Sequence, residues 1–394
     1  MVQNPNLLSG KLLTYFLASM LFTLLYLVSV AIYNIYFHPL SRYPGSKFCA
    51  ASNVPYLCAV VKGDAVSWIR SQHDQYGEVI RIGTNKLSYI SPQAWKDVFG
   101  HRTGGRLENS KDTKFYTPGW EGEHNIISVW DSQEHGRLRK IFSNAFSDKA
   151  LRLQEPLIRT YVDKLVRTLD DAARSPDSST ATQDLVKLYN CTTFDIIADL
   201  VLGKPLGLLD SSELSPWVEA VFNNMRMVAI GGLMLEYPLL ARIIKYFTPR
   251  SLREQQELHH KHTNDRVDER LRSSDERPDI WNLVLQKADG KLSLSQMYSN
   301  ASVFMVGGSE TTATLMSGLT YLLLQNPEKL QKLVAEVRGL SKDQLTFECL
   351  AHLRYLQACF EETLRLYPPV PTALPREIPK GGNTICGDWI PEGV

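Results

Sequence analysis

The sequence lacks the features that would indicate a disulfide-stabilised, zinc-binding or nucleic-acid-binding protein. Its six cysteines form no Cys-x-x-Cys pair and no His/Cys cluster with zinc spacing, so a disulfide framework and a structural metal site are not expected, and a reducing compartment is favoured. Neither sign of charge is in excess, since 43 lysines and arginines stand against 42 aspartates and glutamates. This balance argues against a nucleic-acid partner. Repeats and low-complexity linkers are also missing, and the 394-residue chain is long enough to bury a large core.

Charged residues are absent between Lys11 and Arg42. The segment Leu12 to Tyr36 can cross a bilayer, which requires about 20 apolar residues, whereas the apolar part of a signal peptide has only about 7–15. We therefore expect a retained membrane anchor over residues 1–37; the alternative is a buried core helix that is apolar on every face. Arg42 and Lys47 follow the span, so the positive-inside rule predicts a body on the cytoplasmic side.

A proline-rich stretch, His38-Pro39-Leu40-Ser41-Arg42-Tyr43-Pro44-Gly45, follows the anchor and predicts a stiff hinge. Residues 38–394 are then treated as one domain. Asn190 and Asn300 match the glycosylation acceptor pattern, which a cytoplasmic body would leave unmodified. His259, His260 and His262 lie in a charge-rich segment that is typical of a solvated helix face, without further ligands for a metal.

Hydrophobic periodicity predicts a mainly α protein with a small β component. Strands are expected at Glu78 to Gly83 and Lys86 to Ser91, before a helix that begins with Ser91-Pro92. Apolar residues at three- and four-residue spacing predict helices over His135 to Ser147, Leu185 to Leu202, Pro216 to Met227, Leu252 to Leu271, Leu294 to Gln325, Pro327 to Val337 and Phe347 to Leu366.

The helix predicted over Leu294 to Gln325 carries Gly307-Gly308-Ser309-Glu310-Thr311-Thr312 in its middle. Two glycines inside a helix cost about 1 kcal/mol each, and a carboxylate in an apolar stretch costs more unless it is paired or solvated. One interpretation is a turn at Gly307-Gly308, with Ser309 capping a second helix. The other is a kinked helix over a flat ligand, in which a threonine hydroxyl bonds back to the backbone and an acid beside it relays protons.

Glu362 and Arg365 stand three residues apart, the spacing of an ion pair on one helix face. The same spacing recurs at Glu78/Arg81, Glu134/Arg137 and Glu269/Arg272, so by itself it indicates little. The copy at Glu362 alone leads into Leu366-Tyr367-Pro368-Pro369-Val370-Pro371, a helix stop followed by an extended segment that carries Arg376.

With these motifs in this order, the chain resembles the microsomal cytochromes P-450 of fungal secondary metabolism, which are haem-thiolate monooxygenases. The anchor and proline hinge match, and so do Tyr76-Gly77 through Gly83 and the helix after Pro92. The resemblance implies an α-rich domain with a small β lobe behind the transmembrane helix.

The resemblance also implies roles for individual residues. His135 and Arg139 fit the helix that holds a haem propionate, and Arg376 fits the strand arginine that pairs with propionate. Glu310 and Thr311 fit the oxygen-activating and proton-delivering pair of the family, with Gly307 and Gly308 before them over the cofactor. Glu362 and Arg365 fit its structural helix pair.

One motif of the family is not found. The axial cysteine of Phe-x-x-Gly-x-Arg-x-Cys-x-Gly has no counterpart, and Cys386, between Ile385 and Gly387, is the last cysteine. We therefore expect a chain that is incomplete at its C-terminus, with no axial metal ligand and with doubtful haem binding.

Two hypotheses follow from the match and the missing motif. In the first, the completed protein is a haem-dependent monooxygenase that hydroxylates an apolar small molecule with electrons from an NADPH-dependent reductase. It would lie on the cytoplasmic face of the endoplasmic reticulum membrane. In the second, the chain is a non-catalytic, membrane-anchored remnant without haem. The resemblance assigns substrate choice to residues 101–130 and 225–240, whose apolar content indicates an apolar ligand.

Overall fold

The structure is a computed structural model that describes residues 5–102, 107–119, 122–174, 182–211, 218, 237, 242, 250–285, 292–372 and 374–394. The chain forms two compact units, one of residues 1–112 and 374–394 and one of residues 113–373. Long helices and short two-stranded sheets make up the described residues. The mainly α fold class is therefore confirmed. The boundaries expected for the anchor and the domain stay a prediction.

The first unit begins with the long apolar helix and contains all the described strands. Its helices are α1 (Pro5–Tyr36), α2 (Lys47–Ala51), α3 (Val54–Lys62), α4 (Ala65–Tyr76) and α5 (Pro92–Phe99). Its antiparallel pairs are β1 (Val79–Gly83) with β2 (Lys86–Tyr89), β3 (Ser110–Lys111) with β4 (Arg376–Glu377), and β5 (Asn383–Ile385) with β6 (Asp388–Ile390). A small core of Ala94, Ile378, Ile385 and Ile390 joins α5 to the strands at the end of the chain.

Helix α1 contains a span from Thr14 to Tyr36 that is long and apolar enough to cross a membrane. The span has 23 residues and a mean hydropathy of 2.1, and none of it is buried. Within the described residues the span is therefore not a buried core helix, which was the alternative to an anchor.

The second unit is entirely helical in its described part. Its elements are α6 (Ser132–Ser143), α7 (Asp148–Arg174), α8 (Leu185–Leu202), α9 (Leu208–Ser211), α10 (Arg250–Arg272), α11 (Ile280–Leu285), α12 (Leu294–Leu324), α13 (Pro327–Arg338), a 3-10 turn (Lys342–Gln344), α14 (Phe347–Ala351) and α15 (Arg354–Leu366). The helix expected over Pro216 to Met227 lies outside the described residues, apart from residue 218.

The core of this unit lies between α8 and α12. Phe142, Phe194, Trp281 and Met305 are each at most 1% exposed within it. Helix α8 begins and ends where its sequence predicts, because Asp184 accepts the amide of Lys187 at 3.0 Å and Gly203 takes the left-handed conformation after the last turn.

Buried charge fixes the end of α10 to the start of α11. Arg270, 8% exposed, donates its Nε to the carboxylate of the fully buried Asp279 at 2.5 Å. The other carboxylate oxygen of Asp279 accepts the amide of Asn282 at 2.9 Å and so caps α11. A buried pair of this kind is costly to break on one side, because the remaining charge is left without compensation.

Two helix predictions needed correction, and one long helix was missed. Helix α6 spans Ser132–Ser143 instead of His135 to Ser147, and it begins early because Asp131 caps it by accepting the amide of Glu134 at 2.7 Å. Helix α7 was not predicted, since Pro156 and many charges interrupt its apolar pattern. The single helix expected over Phe347 to Leu366 is divided into α14 and α15, where Glu336 accepts the amides of Tyr355 and Leu356 at the start of α15.

Candidate functional site

Helix α12 passes through the two glycines without a break, so the turn at Gly307-Gly308 is excluded. The two glycines have different surroundings. A Cβ on Gly308 would lie 2.7 Å from Cγ1 and Cδ1 of Ile197 on α8, so close helix packing requires this glycine. A Cβ on Gly307 would meet nothing within 4 Å, and this glycine is exposed. Gly307 is therefore the position that leaves open space beside α12.

The hydroxyl groups of Ser309 and Thr311 donate hydrogen bonds to backbone carbonyls of the preceding turn of α12. Thr311 donates its hydroxyl to the carbonyl of Gly307 at 2.6 Å, and Ser309 donates its own to the carbonyl of Met305 at 2.6 Å. The expected back-bonded threonine is therefore present. Because Gly307 and Thr311 are four residues apart, the hydroxyl lies on the face of α12 that Gly307 leaves open.

Glu310 is half-buried on the same helix. No hydrogen bond or ion pair of its carboxylate is found among the described residues, and burial raises the pKa of this group above its ordinary value. A raised pKa favours the protonated form of the carboxyl, and a protonated carboxyl can donate its proton to an acceptor. The arrangement of Glu310 and Thr311 can therefore hold and deliver protons beside the open space.

Helix α6 presents His135 and Arg139 on one face, since they are four residues apart. His135 is partly exposed and Arg139 is exposed. On the neighbouring face, Arg137 pairs with both carboxylate oxygens of Glu134, at 2.8 and 2.6 Å, and lowers the pKa of that carboxyl. Arg139 makes no ion pair within the described part of the chain, so it can receive an anionic group.

Arg376 lies in the first unit, whereas the other site residues predicted from the sequence lie in the second. It stands directly across the β3–β4 ladder from Lys111, and its guanidinium carbon is 5.4 Å from the ring centre of Phe99. Its Nε is buried and has no hydrogen-bond partner among the described residues. Lys111 is 9% exposed, and burial together with the charge of Arg376 lowers the pKa of its ammonium to about 8.

Lys111 is a candidate site residue that sequence reasoning missed. Lys111 is buried and Arg376 is half-buried, and two cations that face each other across one ladder favour an anion, such as a carboxylate, beside them. No local sequence motif predicts a role for Lys111, because it meets Arg376 only through the pairing of β3 with β4, which is far away in the sequence.

Glu362 and Arg365 form the predicted pair on α15, with Nε to Oε2 and Nη2 to Oε1 both at 2.7 Å. The side chains are 55% and 66% exposed, and the guanidinium lowers the pKa of the carboxyl. Close by, Gly318 of α12 admits Tyr367 from the end of α15, since a Cβ there would lie 2.9 Å from its ring. This end of α15 therefore packs directly on α12.

The six cysteines are free thiols in different surroundings. Cys386 lies in the turn between β5 and β6, where burial raises the pKa of its thiol and its amide donates to Asp97 Oδ2 at 2.8 Å. Burial likewise raises the pKa of Cys49, Cys191 and Cys359. The part of the chain that the structure describes holds no group of three His, Cys, Asp or Glu placed to bind a metal ion.

Comparison with known proteins identifies the family. The family model described as cytochrome P450 matches residues 53–394. Cytochrome P450 monooxygenase efuB of Hormonema carpetanum is 44% identical over 378 residues, which cover 94% of this chain and 74% of that protein. Cytochrome P450 monooxygenase FUM2 of Gibberella moniliformis is 45% identical over 366 residues, which cover 92% of this chain and 77% of that protein. The arrangement on α12 and these similarities lead to one conclusion: the chain belongs to the cytochrome P450 family.

Proposed function

We propose that this protein is a membrane-anchored monooxygenase of fungal secondary metabolism that hydroxylates an apolar small molecule, using haem, molecular oxygen and electrons from an NADPH-dependent reductase. The observation that carries the proposal is the middle of α12. There Gly307 leaves open space, Thr311 bonds to its carbonyl, and Glu310 is half-buried beside them. Membership of the family supplies the reaction class.

Each unit, taken by itself, carries cations that suit a carboxylate group of haem. Arg376, with its buried and unsatisfied Nε, and Lys111, with its lowered pKa, provide charge for one or both propionates. His135 and Arg139 provide a second set on α6. Contacts between a cation and a carboxylate are charge-assisted and therefore among the stronger hydrogen bonds in proteins.

The iron side does not fit the residues present. A haem-thiolate centre needs a cysteine thiolate as axial ligand, and none of the six cysteines stands in the Phe-x-x-Gly-x-Arg-x-Cys-x-Gly motif of the family. We propose that the axial ligand is not among residues 1–394. Activity would then require a thiolate-bearing segment in addition to these residues.

In this reaction, Glu310 and Thr311 would transfer protons beside the open face of α12. When bound, haem would supply oxygen activation. Glu310 would be the proton donor, since burial raises its pKa and so favours its protonated form. Thr311 would turn its hydroxyl away from the Gly307 carbonyl and release its own hydroxyl proton toward the ligand as it accepts a proton from Glu310. Gly307, without a side chain, would keep this path open to the ligand.

The proposed location is the endoplasmic reticulum membrane, with the body on the cytoplasmic face. The unburied span Thr14–Tyr36 and the cations that follow it support this topology. Protease added to sealed microsomes should digest the body and leave a fragment that contains α1. A body that resists protease until detergent is added would contradict this topology.

A chimera tests the catalytic proposal. Residues 1–394 would be joined to the part of the Hormonema carpetanum relative that follows the matched region, and the product would be reconstituted with haem and a reductase. We expect the red-shifted Soret band of a thiolate-bound carbon monoxide complex and NADPH-dependent hydroxylation of apolar test compounds. A correctly ligated chimera that consumes no NADPH and hydroxylates none of a broad set of compounds would contradict the proposal.

A further inference from the structure

A loop of irregular structure joins α10 to α11 in the second unit. Residues 273–278 form neither helix nor strand, and residues 272–276 are all exposed. The loop begins with Ser273-Ser274-Asp275-Glu276, which is two hydroxyl groups followed by two carboxylates. An exposed loop without regular backbone hydrogen bonds is accessible to enzymes that act on protein chains.

The hydroxyl group of Ser273 is available for reaction. Its Oγ accepts the amide of Asp275 at 3.2 Å, and its proton has no acceptor among the described residues. A hydroxyl of this kind can be a phosphoryl acceptor, because its oxygen is exposed and no hydrogen bond of its proton has to be broken first.

The sequence around Ser273 contains two opposite kinase recognition patterns, and the structure distinguishes them. Arg270 lies three residues before Ser273, as cation-directed kinases require, and Glu276 lies three residues after it, as acid-directed kinases require. Arg270 is 8% exposed and donates to the carboxylate of Asp279 and to the carbonyl of Asp275, so a kinase cannot bind it. Asp275 and Glu276 are exposed, and neither carboxylate forms an ion pair within the described part of the chain. Only the acidic pattern is therefore accessible.

A second serine of this chain has the same spacing but different surroundings. Ser71 on α4 is followed three residues later by Asp74, and both are exposed. The hydroxyl of Ser71 donates to the carbonyl of Trp68 at 2.7 Å, and its backbone lies within the helix. A kinase would have to unwind α4 to bind this segment in an extended conformation. Ser71 is therefore a matched control for Ser273.

We propose that Ser273 is a phosphorylation site for acid-directed protein kinases. In this reaction the Oγ of Ser273 forms a bond to the γ-phosphorus of ATP, and the bond from that phosphorus to the bridging oxygen breaks. ADP leaves, and the hydroxyl proton goes to the base of the kinase. The inference rests on the proposed cytoplasmic location of the body, because ATP and protein kinases are found on that side of the membrane.

The phosphate adds about two negative charges directly after the last turn of α10. Arg272, whose side chain is 79% exposed, is the residue before Ser273, and its Nη2 lies 3.6 Å from Asp268 Oδ2. This guanidinium can pair with the phosphate in place of Asp268. Asp268 also accepts the hydroxyl of Tyr298 on α12 at 2.5 Å. The modification therefore acts on a polar contact between α10 and α12.

Phosphorylation of the full chain in detergent tests the site. The chain would be incubated with casein kinase 2, an acid-directed enzyme, and radiolabelled ATP, and mass spectrometry would identify the modified residue. We expect phosphate on Ser273. Ser273→Ala should remove most of the incorporated phosphate and Glu276→Gln should reduce it several-fold, whereas Ser71→Ala should leave it unchanged. Cyclic-AMP-dependent protein kinase, which is cation-directed, should leave Ser273 unmodified.

Absence of phosphate from Ser273 in detergent, where every surface of the protein is accessible, would overturn the modification site alone. Phosphorylation of Ser273 by the cation-directed enzyme would overturn the assignment to acid-directed kinases. In sealed microsomes that contain the chain, casein kinase 2 added outside should modify Ser273 without detergent. Modification that appears only after detergent is added would instead overturn the cytoplasmic location, and this inference with it.

Discussion

Replacing Gly307 and Gly308 of α12 with alanine, one at a time, distinguishes close helix packing at one position from open space at the other. Gly307→Ala and Gly308→Ala gain the same helix propensity, about 1 kcal/mol in the free energy of unfolding. At Gly308 the new Cβ would lie 2.7 Å from two carbons of Ile197, about 1 Å inside the usual contact distance of carbon atoms. Ile197 is 9% exposed in the main core, so it cannot move aside freely.

Overpacking of this kind costs about 1–3 kcal/mol. Because the propensity gain is common to both variants, that cost is the expected difference between them. Gly307→Ala should be stabilised by about 1 kcal/mol, and Gly308→Ala should be up to about 2 kcal/mol less stable than the original chain. Urea unfolding of the full chain in detergent, followed by circular dichroism, measures both values. Adding Ile197→Ala removes the obstacle, so the two substitutions should couple favourably in a double-mutant cycle. Equal stability of the two alanine variants would refute the packing argument.

Three further predictions concern buried charge, pH dependence and proton delivery. Asp279→Asn keeps the cap on α11 but leaves the charge of Arg270 buried without compensation, so the free energy of unfolding should fall by about 3–5 kcal/mol in thermal unfolding. An unchanged free energy of unfolding would contradict the buried pair. Glu362→Gln, at an exposed ion pair, serves as the control. Lys111 has a folded pKa of about 8, below its ordinary value of 10.5, so the unfolded chain binds more protons between these values. The free energy of unfolding of the haem-free chain should therefore rise with pH across that window. Lys111→Met should abolish the rise and weaken haem uptake. An unchanged pH profile in that variant would assign the effect to another group. In the chimera, Thr311→Ala should keep haem binding but divert electrons from product to peroxide, and unchanged coupling of electron use to product would remove Thr311 from the mechanism.

Local signals in the sequence determined much of the second unit. The cap at Asp184 and the glycine at Gly203 define α8, and apolar periodicity defines α12 through both glycines. The division at Leu353 was not predicted, because it depends on a carboxylate from another helix, that of Glu336. Helix boundaries that depend on capping residues and periodicity can therefore be predicted from the sequence, whereas boundaries that depend on a residue of another helix cannot.

The same distinction applies to the candidate site. The hydrogen bond of Thr311 and the pairing of Glu362 with Arg365 are local and follow from spacing. The packing role of Gly308 depends on α8, and the charge pair of Lys111 with Arg376 depends on strands far apart in the chain. The sequence alone does not show which of two adjacent glycines is packed against another helix, or which two cations lie side by side; tertiary contacts decide both.

The reduced, carbon-monoxide-bound difference spectrum of the 394-residue chain, recorded with haem supplied, tests the central claim most directly. The claim is that these residues hold the proton-delivering helix and the propionate-binding cations of a cytochrome P450 but not the thiolate that ligates the iron. The spectrum should therefore lack the red-shifted Soret band of thiolate ligation, whether or not haem is retained. That band at stoichiometric haem would contradict the claim and show that one of the six cysteines is the ligand, with Cys386→Ser as the first variant to examine.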